Sequence, residues 1–153
     1  HLQPRLEQIM TVLEALYLEL TTDTGLTALT GTRIYAANRP ELCAYPSLEY
    51  SIISENHEEA LNCVPGWCSY SFQVDCYART YTSSRAVAEQ IRNVVQGRTG
   101  MFGQSGSPLA GGISVGIFGW QARDLGTEVL GDGSLLYRTI CEFTIGAAET
   151  QPI

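Results

Sequence analysis

The stretch that decides the fold runs from Ser69 to Gly97 and reads SYSFQVDCYARTYTSSRAVAEQIRNVVQG. In its first half, side chains of two kinds alternate one by one, which predicts a strand with one buried face. We therefore expect the other strands of the protein to pair beside this one. The buried face would carry Tyr70, Phe72, Val74, Cys76 and Ala78, and the exposed face Ser71, Gln73, Asp75, Tyr77 and Arg79.

At Thr80 the spacing of the apolar residues changes to three and four, which predicts a helix that packs back on the sheet. Thr82 or Ser83 is suited to cap the start of this helix, and Gly97 is suited to follow its end. The helix would bury Val87, Ala88, Ile91, Val94 and Val95.

The composition excludes several classes of function. The 153 residues carry a formal net charge of −7, which argues against a dedicated nucleic-acid binder. The sequence contains no Lys, so a phosphate-binding loop lysine and a Schiff-base lysine are both excluded. No apolar run approaches the roughly 20 residues of a membrane helix, and Glu7, Glu14 and Glu19 interrupt the first apolar segment, so we expect neither a membrane partner nor a signal peptide.

No catalytic or cofactor motif emerges. The only His residues are His1 and His57, and no nucleophile elbow or dinucleotide-binding glycine pattern is present, so we expect no enzyme and no cofactor. Cys63 and Cys68 fall in a predicted loop, and because no second pair of ligands completes a metal site there, a zinc site is not favoured. Cys76 and Cys141 fall on predicted buried faces and are interpreted as inert thiols.

The remaining segments predict an α+β domain spanning residues 1–153, with loose termini. Its sheet would be mostly antiparallel, with four to five strands and two main helices packed on it. The predicted segments are a helix Pro4–Leu20, a short helical turn Thr24–Gly31, an extended piece Thr32–Ala36, strands Ser47–Ser54, Ile113–Trp120 and Ser134–Ile145, an acidic loop Glu55–Gly66, a Gly-rich loop Gly97–Gly112 and a charged turn region Gln121–Gly133.

The order of these parts resembles a family of small tail-completion, or tail-terminator, proteins of long-tailed bacteriophages and gene-transfer particles. The resemblance extends from about Leu13 to Ile145 and depends on the ordered set of segments, with FQVDCYA and LYRTICEF in place. The segments are LEALYLEL, LTALTG, TRIYAA, YPSLEYSI, FQVDCYARTY, SSRAVAEQIRNVV and LLYRTICEFTI.

The resemblance implies a structural virion protein of the tail or neck, assembled in the host cytoplasm. Such a subunit forms a ring, typically of six copies, at the head-proximal end of the tail tube. There it stops tube polymerisation and presents a surface to the head connector or head-closure protein, while DNA passes through the lumen without sequence-specific binding. The family offers no catalytic residues to transfer. Two alternatives stay open: a head-closure or adaptor protein of the neck, and a small cytosolic ligand-binding or enzymatic domain.

Five residues are candidates for contacts with other subunits or partners. Asp75, Tyr77 and Arg79 share the predicted exposed face of the central strand, although one of the protein's own helices could cover that face. Met101 and Phe102 lie in the predicted Gly-rich loop, which we expect to line the lumen or grip the tube. Deleting residues 101–107 without an effect on tail joining would contradict this second expectation.

Overall fold

The structure is a computed structural model and describes residues 12–40, 44–57, 67–96, 99–102 and 113–148. Three helices and six strands lie within these residues. The helices are α1 (Val12–Thr22), α2 (Thr24–Thr30) and α3 (Tyr81–Val95), and the strands are β1 (Ile34–Ala36), β2 (Ser47–His57), β3 (Trp67–Ala78), β4 (Thr99–Phe102), β5 (Ile113–Val129) and β6 (Leu135–Ala148).

The strands form one sheet in the order β1-β2-β3-β6-β5-β4. Every neighbouring pair is antiparallel except β1 and β2, which run parallel. The predicted α+β class and the mostly antiparallel sheet are therefore confirmed. Four strands are long, and the short strands β1 and β4 lie at the two edges, so the sheet has one strand more than the upper end of the prediction.

The hydrophobic core lies between the helices and one side of the sheet, called here the helical face. Phe72 and Phe143 pair across β3 and β6, and their ring centroids are 5.8 Å apart. Trp120 from β5 stacks on Phe143 at 6.2 Å. Leu16, Leu20, Val87 and Ile91 from the helices belong to the same buried cluster. Burial of apolar area at roughly 25 cal/mol per Å² makes this layer the main source of stability.

Helix α3 confirms the predicted change of period after β3. Thr80 is the N-cap, since its side chain accepts a hydrogen bond from the backbone N–H of Ser83, and the predicted caps Thr82 and Ser83 lie inside the helix. The hydroxyl of Thr139 lies 3.1 Å from that of Ser84, which gives α3 a buried polar link to β6. All five predicted core positions of this helix are buried.

Helix α1 buries part of the apolar stripe that its sequence predicts. The spacing of three and four places Leu13, Leu16, Tyr17 and Leu20 in that stripe. Leu16 and Leu20 are fully buried, but Leu13 and Tyr17 are 43% and 46% exposed, and Ala15 and Glu19 are buried in their place. Residues 1–11 of the predicted helix lie outside the described residues.

Four strands extend beyond the ranges that their apolar patterns predicted, and one of them is β6, which continues past Ile145 to Ala148. Residues 121–129, interpreted as a charged turn region, belong to β5, and β2 continues through Glu55 to His57. Cys68 is buried within β3 and does not lie in a loop. The β5–β6 pairing shifts register next to Gly119 and Gly126, whose positive φ angles suit glycine. These bulges interrupt the alternation, so the sequence pattern was read as the end of the strand.

Part of the predicted Gly-rich loop is a strand. Residues 99–102 form β4, which pairs with residues 113–116 of β5. The prediction of a continuous loop over Gly97–Gly112 is therefore wrong at β4, because pairing with a distant strand decided the local structure. Residues 97–98 and 103–112 lie outside the described residues.

Candidate assembly surfaces

The central strand carries Asp75 and Tyr77 on the side of the sheet opposite the helices, called here the second face. Both side chains were predicted to be exposed, but Asp75 is 5% and Tyr77 is 7% exposed. The prediction of exposure is therefore wrong for these two residues. Arg79, at the end of the same series, has a side chain that is 52% exposed.

Asp75 is held by an ion pair and two weaker contacts. The guanidinium Nη2 of Arg138 donates to the Asp75 carboxylate at 2.6 Å. Gln73 donates to the same carboxylate at 3.0 Å, and the Tyr77 hydroxyl lies 3.4 Å away. Burial acts to lower the pKa of Arg138, but the hydrogen bond and the charge of Asp75 outweigh it and raise that pKa above its usual value. Burial also raises the pKa of Tyr77, with the Asp75 charge adding to the effect.

Residues 37–40 and 44–46 supply the cover over this pair. The guanidinium carbon of Arg39 lies 4.0 Å from the centroid of the Tyr77 ring, and its Nη1 donates to the Tyr45 hydroxyl at 2.6 Å. The backbone N–H of Arg39 donates to Glu49 at 2.8 Å. Stacked cations of this kind gain both packing and electrostatic attraction. The protein's own chain therefore covers this part of the second face, with a connecting segment where the alternative had placed a helix.

Arg79 joins three parts of the molecule at the surface. Its Nη1 donates to the Ser134 hydroxyl at 2.8 Å and lies 4.0 Å from Asp132. Its guanidinium also lies 5.4 Å from the Tyr45 ring centroid. Exposed ion pairs contribute little to stability. Arg79 is thus accessible for a partner, and its role in a contact stays a prediction.

Met101 and Phe102 lie in β4, opposite Ser114 and Ile113 of β5. Their place at one edge of the sheet differs from the loop that was predicted. A contact of these two residues with the lumen or the tube stays a prediction.

An extended hairpin is a surface that the sequence interpretation missed. The hairpin comprises residues 121–135, which are the end of β5, the turn and the first residue of β6. All of these residues are exposed except the half-buried Leu130 and Ser134. This segment is called here the hairpin arm. Its apolar residues Leu125, Val129 and Leu135 have exposed fractions of 46%, 68% and 42%. Val129 and Leu135 are direct cross-strand partners. Exposed apolar groups of this kind are typical of a contact surface.

Local contacts hold the hairpin arm in place. Asp132 accepts hydrogen bonds from the backbone N–H and the hydroxyl of Ser134, and these bonds lower the pKa of the Asp132 carboxyl. At its base, Asp124 accepts from the Tyr81 hydroxyl at 2.9 Å and lies 3.4 Å from Arg85 of α3. The sequence held a signal for this hairpin, since Gly131-Asp132-Gly133 separates two apolar pairs.

The described residues lack two other features that the sequence analysis considered. None of their helices has the length and hydropathy to cross a membrane. Nor do they bring together three His, Cys, Asp or Glu side chains in an arrangement that could hold a metal ion.

Comparison with known proteins identifies the family. The sequence profile of the family described as Tail completion protein gp17 matches residues 14–145, which is most of the chain. The chain belongs to this family. Membership makes it a structural tail component of a phage or gene-transfer-agent virion, in agreement with the resemblance found in the sequence.

A solved structure gives independent support for the fold. The chain is similar to one chain of a structure titled "Virion of native gene transfer agent (GTA) particle", with a TM-score of 0.57 and 20% identity. The match covers 91% of this chain and 95% of that chain. No curated protein matches the sequence. At this identity the likeness concerns the fold alone.

Proposed function

We propose that the chain assembles into a ring that caps the head-proximal end of the tail tube. The ring stops tube polymerisation and offers its opposite side to the head connector or head-closure protein. The observation that carries this proposal is the exposed hairpin arm on a chain of a tail completion family. A ring of identical subunits needs two different complementary surfaces on each subunit, and exposed apolar side chains supply such surfaces.

An assay of tube growth tests the capping step. Tail-tube protein of the same particle is polymerised with increasing amounts of the purified chain, and tube lengths are measured by electron microscopy. Because a cap acts only at tube ends, the mean length should fall when the added chain is far below one copy per tube subunit. A length that is unchanged, or that falls only near equal amounts, would contradict capping.

We also propose that an acidic ring lets DNA pass without sticking. The formal charge of −7 per chain gives a closed ring a strong negative field, which repels the phosphate backbone. Glu→Gln variants of the exposed Glu14, Glu55, Glu89 and Glu128, tested one by one, should include at least one that slows DNA ejection. If none of them changes ejection or DNA retention, this proposal is wrong.

A further inference from the structure

Each edge of the sheet has a step, because the short edge strand covers only part of the longer strand beside it. At one edge β4 pairs with β5 only over residues 113–116, and no described strand pairs with residues 117–129 of β5 on that side. At the other edge β1 pairs with β2 only over Leu48–Tyr50, and no described strand pairs with residues 51–54 on that side. Open strand edges of this kind are templates for pairing with a second chain.

The steps occupy different heights along the sheet. Residues that pair across the strands form rows, and one row joins Tyr35, Glu49, Asp75, Ile140 and Arg123. Strand β1 therefore lies level with the part of β5 that β4 leaves open. A second row joins Asn56, Ser69, Gly146, Gly116 and Thr99, so β4 lies level with a part of β2 beyond β1.

The two short strands can consequently lie end to end along the same β5 strand, β4 from one copy and β1 from the next. If a second copy is placed beside the first with its sheet in the same orientation, β1 of the second copy lies along the part of β5 of the first copy that β4 leaves unpaired. The directions agree, because β5 runs antiparallel to both β1 and β2 through the alternation of the sheet. Antiparallel pairing is the more stable kind.

Two apolar side chains lie at the level of the gap that would remain between β4 of one copy and β1 of the next. Phe118 of β5 and Ser54 of β2 belong to one row, through Thr144 and Ser71. Ile53 is the extra residue at the register shift beside Ser54. Phe118 is 55% and Ile53 is 51% exposed. Two large apolar side chains thus stand at the same height on opposite edges, each beside a bulge.

We propose that the sheet continues from one copy of this chain to the next through these stepped edges. β1 of one copy pairs with residues 122–124 of β5 of its neighbour, and Phe118 packs against Ile53 across the gap. Arg123, which is 59% exposed, then comes to lie beside Tyr35, where its guanidinium meets an aromatic ring and the adjacent carboxylate of Glu49. Because the two edges differ, the contact is heterologous, which is the kind of contact from which a ring is built when the rotation between copies closes. The bulges limit the ladder to a short stretch, which opposes uncontrolled aggregation.

This inference rests on the proposed ring, and a cross-linking experiment separates the two. Tyr35→Cys and Arg123→Cys are combined in one chain, and assembled tails are oxidised and analysed on denaturing gels. Directly opposed residues of paired strands lie within the Cα separation that a disulfide spans. The double variant should give a ladder of covalent oligomers. Neither single variant should do so, nor should the control Tyr35→Cys/Val129→Cys, whose second site is further along β5.

A charge substitution gives a second readout. Phe118→Glu and Ile53→Glu should each abolish ring formation in native mass spectrometry, whereas Leu13→Glu, at an apolar site of α1 that is 43% exposed, should leave it intact. Tails of normal length with cross-linking no greater than in the control pair would overturn the edge contact and leave the capping function standing. A chain never found at tail ends would refute the edge contact and the proposed function together.

Discussion

The pair between Asp75 and Arg138 provides a sharp test of why the second face is closed. The Asp75→Ala variant removes a carboxylate that is 7% exposed in its side chain and receives a 2.6 Å hydrogen bond from Arg138. Breaking a buried ion pair by removing one partner costs about 3–5 kcal/mol. Because the Arg138 side chain keeps 34% exposure, water can replace part of the lost interaction, and we expect a loss of about 2–3 kcal/mol.

The loss is measured as the free energy of unfolding of the isolated chain in urea, with thermal unfolding as a check. For a chain of this size the loss corresponds to a fall in the melting temperature of roughly 4–12 °C. The matched control is Arg79→Ala, since its contact to Asp132 spans 4.0 Å between side chains that are 52% and 66% exposed, and it should change stability by less than about 0.5 kcal/mol. Equal effects of the two variants would refute the distinction between a residue that holds the fold and a residue at the surface.

Three further predictions follow from the core and the helix caps. Phe143→Ala should lower the free energy of unfolding by about 3–5 kcal/mol, since it removes the ring that stacks on both Phe72 and Trp120; a loss below about 1 kcal/mol in urea would contradict this packing. Burial, followed by the nearby Tyr17, raises the pKa of Tyr50 to about 12 from 10.0, so the folded state keeps the neutral phenol. Stability should therefore fall as pH rises from 10 through about 12, and Tyr50→Phe should make the decline shallower in a pH series of unfolding curves. Thr80→Ala should cost about 1 kcal/mol, because it removes the hydrogen bond to the Ser83 N–H, while Thr82→Ala, one residue inside the helix start, should cost less.

The spacing of apolar residues predicted the elements that pack one face on the core. The change from alternation to helical spacing at Thr80 identified β3 and α3, because one face of each element packs on the core. The edge strand β4 was missed, since a Gly-containing segment becomes a strand only through its pairing with β5. The far half of β5 was missed because bulges at Gly119 and Gly126 break the alternation.

The candidate contacts were predicted less well, for a related reason. Asp75 and Tyr77 lie on the polar side of an alternating strand, and alternation cannot reveal that Arg39 and Tyr45 fold back over them. The exposed Phe118 alternates with the buried Ile117, so the strand period already turns it away from the core, whereas Ile53 is the extra residue at the register shift of β2. Arg79, which directly follows the central strand, is exposed, unlike Asp75 and Tyr77.

Electron microscopy of particles assembled without this chain tests the capping account most directly. If the chain ends tube growth, its absence should give tail tubes of uncontrolled, excessive length, and supplying the chain should restore a single length. Tails of normal length that fail to join heads would contradict capping and place the chain on the connector side of the neck. Particles that are normal in tail length and in joining would contradict a role at this end of the tail altogether.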